Sequence, residues 1–344
     1  MKKTMKVLIA YDGSACAEAA IEDLKRAGLP DRLEALVVSV AEVFMPPAGD
    51  EKALYAVVSV VEKGWARAAE IVEESKALAK KGAKKVKANF PNWNVAAEGF
   101  ADSPAWGIVK KAQEWQVDLI VVGAHGLSSS TGRLILGSIA QIVATQASCS
   151  VRVVRIKSQD AASPSRIVIG NDESPDSDRA ILEVASRNWA KGTAVHLITA
   201  VEPRLTSLLA IELEMRRWIH DTDKTEFEAI KRLMESKAEK LRAKQLVVTC
   251  LIKEGDPKKI ILEEAERWGA DAIYVGARGL SGIKHALIGS VSASLAGRAH
   301  CTVEIVRDKT QTPIKVDKSK YVQAEEGIKD YYLETSTDDP ELKK

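Results

Sequence analysis

No stretch of the 344-residue sequence approaches the roughly 20 consecutive apolar residues that a membrane span needs, so no membrane partner is expected. Cysteine is scarce. Cys16, Cys149, Cys250 and Cys301 lie far apart, with no C-x-x-C pair and no histidine at ligand spacing beside them, which argues against a zinc site and leaves each as a small buried hydrophobe. Neither sign of charge dominates, since 50 Lys and Arg stand against 48 Asp and Glu, and the net +2 gives no electrostatic reason for a nucleic-acid partner. The seven tryptophans do not interleave with basic clusters as a base-stacking platform would. Also missing are a G-x-x-x-x-G-K-S/T loop and a G-x-G-x-x-G turn after the first strand, which leaves P-loop ATPase and dinucleotide chemistry unsupported. The apolar run Val7–Tyr11 is ended by Asp12 before a secretory signal core is complete, so a reduced, cytoplasmic protein is the expectation.

What the sequence does contain is a repeat of its own first half. Val7-Leu-Ile-Ala-Tyr-Asp12-Gly-Ser14 corresponds to Ile167-Val-Ile-Gly-Asn-Asp172-Glu-Ser174, and Val117-Asp-Leu-Ile-Val-Val-Gly-Ala-His-Gly126 to Ala270-Asp-Ala-Ile-Tyr-Val-Gly-Ala-Arg-Gly279. Further on, Leu136-Gly-Ser138 matches Ile288-Gly-Ser290, and Cys149-Ser-Val-Arg-Val-Val-Arg155 matches Cys301-Thr-Val-Glu-Ile-Val-Arg307. The domain plan is therefore a first copy over 1–155, a polar linker over 156–165, a second copy over 166–307 and a polar tail over 308–344. Tyr321, Tyr331 and Tyr332 are candidate anchors for the tail. The first copy is longer in its middle, and its extra residues are expected between Ala41 and Trp65, where 45–50 reads as a loop.

Each copy alternates short β-branched runs with amphipathic segments. In the second, strands are predicted at 167–171, 194–201, 247–254, 272–276 and 302–306. Ser174 is the N-cap and Pro175 the first residue of the first helix, with later helices ending near Arg242 and spanning 257–268 and 290–298. Apolar strands separated by helices imply an α/β fold, a five-stranded parallel sheet covered on both faces in each copy, with ligands at the carboxyl ends of the strands. Asp12, Asp172 and both glycine loops fall at such ends. The sharpest constellation is Gly276-Ala-Arg-Gly279, nine intervening residues, then Gly289-Ser290 opening a helix. Glycines admit close approach of backbone to an anion and a helix N-terminus offers unpaired N–H groups, though the same residues also serve simply to turn the chain.

A strand-terminal Asp early in the domain, with G-x2-G-x9-G-S/T near its end, resembles the nucleotide-binding pattern of the universal stress proteins, and the likeness covers Lys6–Arg155 and Arg166–Arg307. The resemblance implies two tandem Rossmann-like domains of the adenine nucleotide alpha hydrolase-like type, related by a pseudo-twofold axis. They would pair within the chain through their last strands, 151–154 and 303–306, with further homodimerisation left open. It also implies a bound adenine nucleotide: ATP, with or without Mg2+, or AMP or ADP. Carried over by position, Asp172 and Ala200 would hold the adenosine of the second site, and Gly276, Arg278, Gly279, Gly289, Ser290 and Ser292 its phosphates. The first site would use Asp12 and Val40, then Gly123, His125, Gly126, Gly137 and Ser138.

Two departures bear on function. The first loop has ten intervening residues, Leu127–Leu136, with Ala140 in place of the second hydroxyl, and in the second copy Glu173 stands where the first has Gly13. The expectation is a stress-response regulator that binds nucleotide, with the second site favoured, and answers to a regulatory protein partner that the sequence does not identify. Two alternatives stay open, a member that has lost nucleotide and acts as a scaffold or binds another small ligand, and a slow ATPase; no catalytic base declares itself.

Overall fold

The computed structural model describes residues 4–43, 54–126, 136–156, 163–201, 213–279 and 288–308. The loop at 45–50, most of the linker and the tail tyrosines lie outside them. The first copy runs β1 (Lys6–Ala10), α1 (Ala15–Asp23), β2 (Glu34–Ala41), α2 (Leu54–Asn89), β3 (Asn94–Ala101), α3 (Pro104–Glu114), β4 (Leu119–Gly123), α4 (Ser138–Gln146) and β5 (Ser150–Val154). The second repeats it as β6 (Arg166–Asn171), α5 (Pro175–Ser186), β7 (Ala194–Val201), α6 (Leu213–Arg242), β8 (Val247–Glu254), α7 (Pro257–Trp268), β9 (Ala272–Gly276), α8 (Ser290–Arg298) and β10 (Thr302–Val306).

Local chemistry explains the element starts. Ser14 Oγ accepts the Ala17 N–H at 3.2 Å ahead of α1, and Ser174 Oγ accepts the Ser177 N–H at 3.1 Å ahead of α5, whose first residue is Pro175. Asp256 caps α7 through the Lys258 N–H at 3.0 Å, and α7 stops at Gly269, where φ is +67°. Strands β1, β4, β6 and β9 are β-branched runs buried almost throughout, as central strands covered on both faces must be.

The two five-stranded sheets expected from the sequence merge into one sheet of ten, ordered β3-β2-β1-β4-β5-β10-β9-β6-β7-β8. Every neighbouring pair is parallel except β5 and β10, which meet antiparallel with Val151 opposite Ile305, Arg152 opposite Glu304 and Val153 opposite Val303. Because side chains alternate along a strand, this register sorts the seam into two faces. On one face Val151, Val153, Val303 and Ile305 join a single apolar layer that continues from Leu8 and Ile120 in one copy to Val168 and Ile273 in the other. On the opposite face each copy keeps its own core, and the gap between them is filled by charge.

Arg152 and Glu304 are essentially without solvent exposure. Arg152 Nη1 donates to Glu304 at 2.8 Å and to the Tyr274 hydroxyl at 2.9 Å, while its Nε reaches Asp23 at 2.6 Å. Arg187, from the end of α5, also donates to Glu304, to Tyr274 at 2.7 Å and to the Ala27 carbonyl across the seam at 2.9 Å. Asp23 additionally accepts the Thr302 hydroxyl at 2.8 Å. Two further arginines fasten the halves reciprocally. Arg155 donates to the Ala296 and Gly297 carbonyls at the end of α8, at 2.8 and 2.9 Å, and Arg307 donates to the Ala144 carbonyl in the last turn of α4. Cations at helix C-termini meet both the unpaired carbonyls and the negative end of the helix dipole.

Burial by itself would raise the Glu304 carboxyl, but Arg187 and Arg152 outweigh it and hold it below the ordinary carboxylate value. A depressed carboxylate stabilises the fold fully above its unfolded value of about 4.5 and loses that contribution as pH falls through its folded value. Replacing Glu304 by Gln leaves two buried guanidinium groups short of their counter-charge. The expected loss is about 3–5 kcal/mol in urea unfolding at pH 7, shrinking as the pH is lowered below 4.5. A wild-type stability unchanged between pH 7 and pH 3, or a variant within about 1 kcal/mol of wild type, would contradict this role for the seam.

Candidate functional site

Strand order reverses at the β1–β4 neighbours in the first copy and at β6–β9 in the second, so each half has a crevice beyond these carboxyl ends. On leaving β1, the chain makes a turn in which Asp12 Oδ1 accepts the Ser14 N–H at 2.9 Å and Gly13 takes φ +77°. The second copy turns the same way, with Asp172 Oδ1 accepting the Ser174 N–H at 3.1 Å and its hydroxyl at 2.5 Å. Here Glu173 takes φ +64°, a left-handed conformation unfavourable for a side chain with a Cβ. The Glu173 side chain is exposed, so the turn is preserved and the substitution sends its carboxylate to solvent.

Opposite this turn, the end of β4 carries Gly123, His125 and Gly126, and the end of β9 carries Gly276, Arg278 and Gly279. The glycines divide into two kinds. A Cβ at Gly123 would lie 2.8 Å from the Cβ of Cys16, and one at Gly276 would lie 2.4 Å from the carbonyl carbon of Asp176, so these two permit a strand to pack against a helix. Gly126 and Gly279 instead face the strand-terminal acids. A Cβ there would stand 3.0 Å from Asp12 Oδ2 and 2.4 Å from Asp172 Oδ2 respectively. In both copies the loop is pinned at its two ends. Ala124 and Ala277 donate to the Val154 and Val306 carbonyls at 2.7 and 2.9 Å, and the Gly137 and Gly289 N–H groups return to the Ala124 and Ala277 carbonyls at 2.8 and 2.6 Å. The extra residue of the first loop is therefore absorbed between these ends, within a segment that lies largely outside the described residues. Gly137 and Gly289 reach matching positions.

Helices α4 and α8 begin at Ser138 and Ser290 behind these glycines, and neither has a capping side chain. Among the described residues no side chain takes their first N–H groups, in contrast to α1, α5 and α7. Ser292 has a different role from the phosphate contact implied by the resemblance. It is buried, and its hydroxyl donates to the Gly276 carbonyl at 2.7 Å, tying α8 to β9.

All seven first-copy positions, Asp12, Val40, Gly123, His125, Gly126, Gly137 and Ser138, line one cleft of about 170 Å3. Sequence reasoning missed Tyr11, Pro104, Ile108 and Ile139, which line it as well. Pro104 and Ile108 are one helical turn apart on α3, a spacing that marks a shared face but carries no sign that the face meets a cleft. Burial, and secondarily the Arg155 charge, lower the His125 value, so this imidazole is neutral near pH 7. The cleft thus offers apolar surface from Val40, Pro104 and Ile108 at one end and backbone N–H groups at the other. In the second copy Asp172, Arg278, Gly279, Gly289 and Ser290 occupy the same places, with Ala200 packed against the shared apolar layer as Val40 is. No group of three or more His, Cys, Asp or Glu among the described residues is arranged to hold a metal ion.

A model of the Universal stress protein family matches the chain twice, over residues 3–155 and 164–307. The chain belongs to the universal stress protein family. Its two matches make it a tandem member. It is 29% identical over 139 residues to Universal stress protein YxiE of Bacillus subtilis, covering 40% of this chain and 93% of that protein. It is 35% identical over 148 residues to Universal stress protein A homolog 2 of Coxiella burnetii, covering 42% of this chain and 95% of that protein. A solved universal stress protein from Archaeoglobus fulgidus superposes over 88% of this chain and 98% of its own length with a TM-score of 0.60 at 22% identity, which shows the shared fold.

The turn at Glu173 yields a direct test within this universal stress protein. Replacing Glu173 by Gly removes the left-handed penalty at an exposed position, and the expected gain is about 1 kcal/mol in urea unfolding. A loss of stability would show that the Glu173 side chain is held by contacts that offset its backbone conformation.

Proposed function

We propose that this universal stress protein is a regulatory binder of an adenine nucleotide, ATP, ADP or AMP, and that the first copy is its working site. The observation that carries this reading is the convergence of Asp12, Val40, Gly123, His125, Gly126, Gly137 and Ser138 on one cleft at the β1–β4 crossover. Val40, Pro104 and Ile108 offer an apolar seat for a base. Asp12 stands where a ribose hydroxyl would donate to its carboxylate. The uncapped start of α4 and the N–H groups around Gly126 suit phosphate oxygens. Backbone dipoles at the loop would meet the phosphate, beside the His125 imidazole that lines the same cleft. Among the described lining residues, Asp12 accepts the Ser14 N–H and Tyr11 donates its hydroxyl to Glu18 at 2.5 Å. The reading is of a binding protein, with slow ATP turnover as its alternative.

Calorimetric titration of the full chain with ATP and AMP tests this. Asp12→Ala is expected to weaken binding by about 10-fold or more, the effect of losing a hydrogen bond to a charged group, while unfolding shifts little because Ser14 still caps α1. Equal affinity in wild type and Asp12→Ala, or no binding of either nucleotide to wild type, would overturn the reading. Steady turnover of ATP that Asp12→Ala abolished would replace it with the enzyme alternative.

A further inference from the structure

The two copies differ at one buried position that faces the phosphate loop. The second residue of α1 is Cys16, whereas the second residue of α5 is Asp176, and both side chains are buried. Asp176 Oδ2 accepts the backbone N–H of Arg278 at 3.2 Å and the Arg278 Nε at 3.2 Å, while its Oδ1 accepts from Arg179. Arg307, from the end of β10, lies close enough to act on the same carboxylate electrostatically. The loop is held from its other side too, because the Ser174 hydroxyl lies 3.3 Å from the Arg278 carbonyl and 2.5 Å from Asp172 Oδ1. Gly279 sits closer to its acid than Gly126 does, by the 2.4 and 3.0 Å separations of a notional Cβ from the carboxylate oxygen.

We propose that Asp176 is a built-in anion that occupies the phosphate-recognition groups of the second copy, so that the chain takes up nucleotide in the first copy and the second is kept closed. The inference rests on the nucleotide reading given above. Arg278 is the one phosphate-loop position in the second copy that brings a guanidinium. A carboxylate bonded to both its backbone N–H and its Nε, though shared with Arg179, offsets that charge, occupies two of its donors and repels an incoming phosphate. The first copy has a thiol at this place, which cannot substitute as a full anionic acceptor of two such bonds, and its loop residue is a neutral imidazole with no charge to cancel. The second copy thereby retains the fold of a nucleotide site as one half of the ten-stranded sheet.

Calorimetric stoichiometry with AMP and ATP on the full chain decides the matter. Wild type is expected to bind one nucleotide per chain, and the second copy to be weaker by at least about 100-fold. Asp176→Cys, which copies the first half, and Asp176→Asn, which keeps the shape and removes the charge, are each expected to bind two. With Asp12→Ala added, the remaining strong site of either variant belongs to the second copy. One site in wild type and still one in both Asp176 variants overturns the inference while leaving the proposed function intact. Two sites in wild type, with one lost in Asp176→Asn, also overturn it, and would show that Asp176 aims Arg278 at the phosphate. No binding to wild type overturns the proposed function, and the inference is then decided by whether the Asp176 variants gain a site.

Discussion

A guanidinium and a carboxylate placed opposite each other on two antiparallel strands hold this molecule together. Arg152 and Glu304 occupy equivalent positions in the two copies, face one another across β5 and β10, and are both removed from water. Such a pair is favourable only when all its partners are present, and here Asp23, Arg187 and Tyr274 complete the shell. The same register between two copies of β5 would oppose two arginines, and between two copies of β10 two glutamates. Divergence of the halves at this position therefore fits each last strand to the other and not to itself. The continuous apolar layer on the reverse face supplies the burial, and the ionic face specifies which strand may be buried there.

From this seam the sites inherit their positions. The β5 and β10 carbonyls of Val154 and Val306 fix the N–H groups of Ala124 and Ala277, which begin the glycine loops. Arg155 and Arg307, just beyond the same strands, close the far ends of helices α8 and α4, whose near ends open toward the loops. Helices α4 and α8 thus each have the N-terminus in their own copy and the C-terminus fastened by the other. Desolvation pushes Arg307 down to about 10 and lowers Arg155 in the same direction, yet both remain charged at neutral pH and keep these links closed.

Much of the fold was legible in the sequence because its signals are local or repeated. Apolar β-branched runs ending in Asp, Ser-Pro at a helix start and glycine after a helix act within a few residues, and predicted spans in the second copy agree with β6–β10 to within a residue. The pairing of the last strands followed from the family resemblance, but the complementarity of Arg152 and Glu304 did not, since it exists only once the register is known. The site was legible to the same depth. The candidate positions came from the family resemblance, whereas the hold of Asp176 on Arg278, 102 residues away, could not be read from the sequence. Ser292 was invisible for the same reason, its hydroxyl being turned to the Gly276 carbonyl.

Inequivalence of the two sites on an otherwise repeated scaffold is tested most directly by amide hydrogen exchange read by mass spectrometry with and without saturating AMP. Added protection is expected in peptides covering 11–14, 123–126 and 137–141, with peptides covering 171–174, 276–279 and 289–293 unchanged. Equal protection in both sets would contradict it.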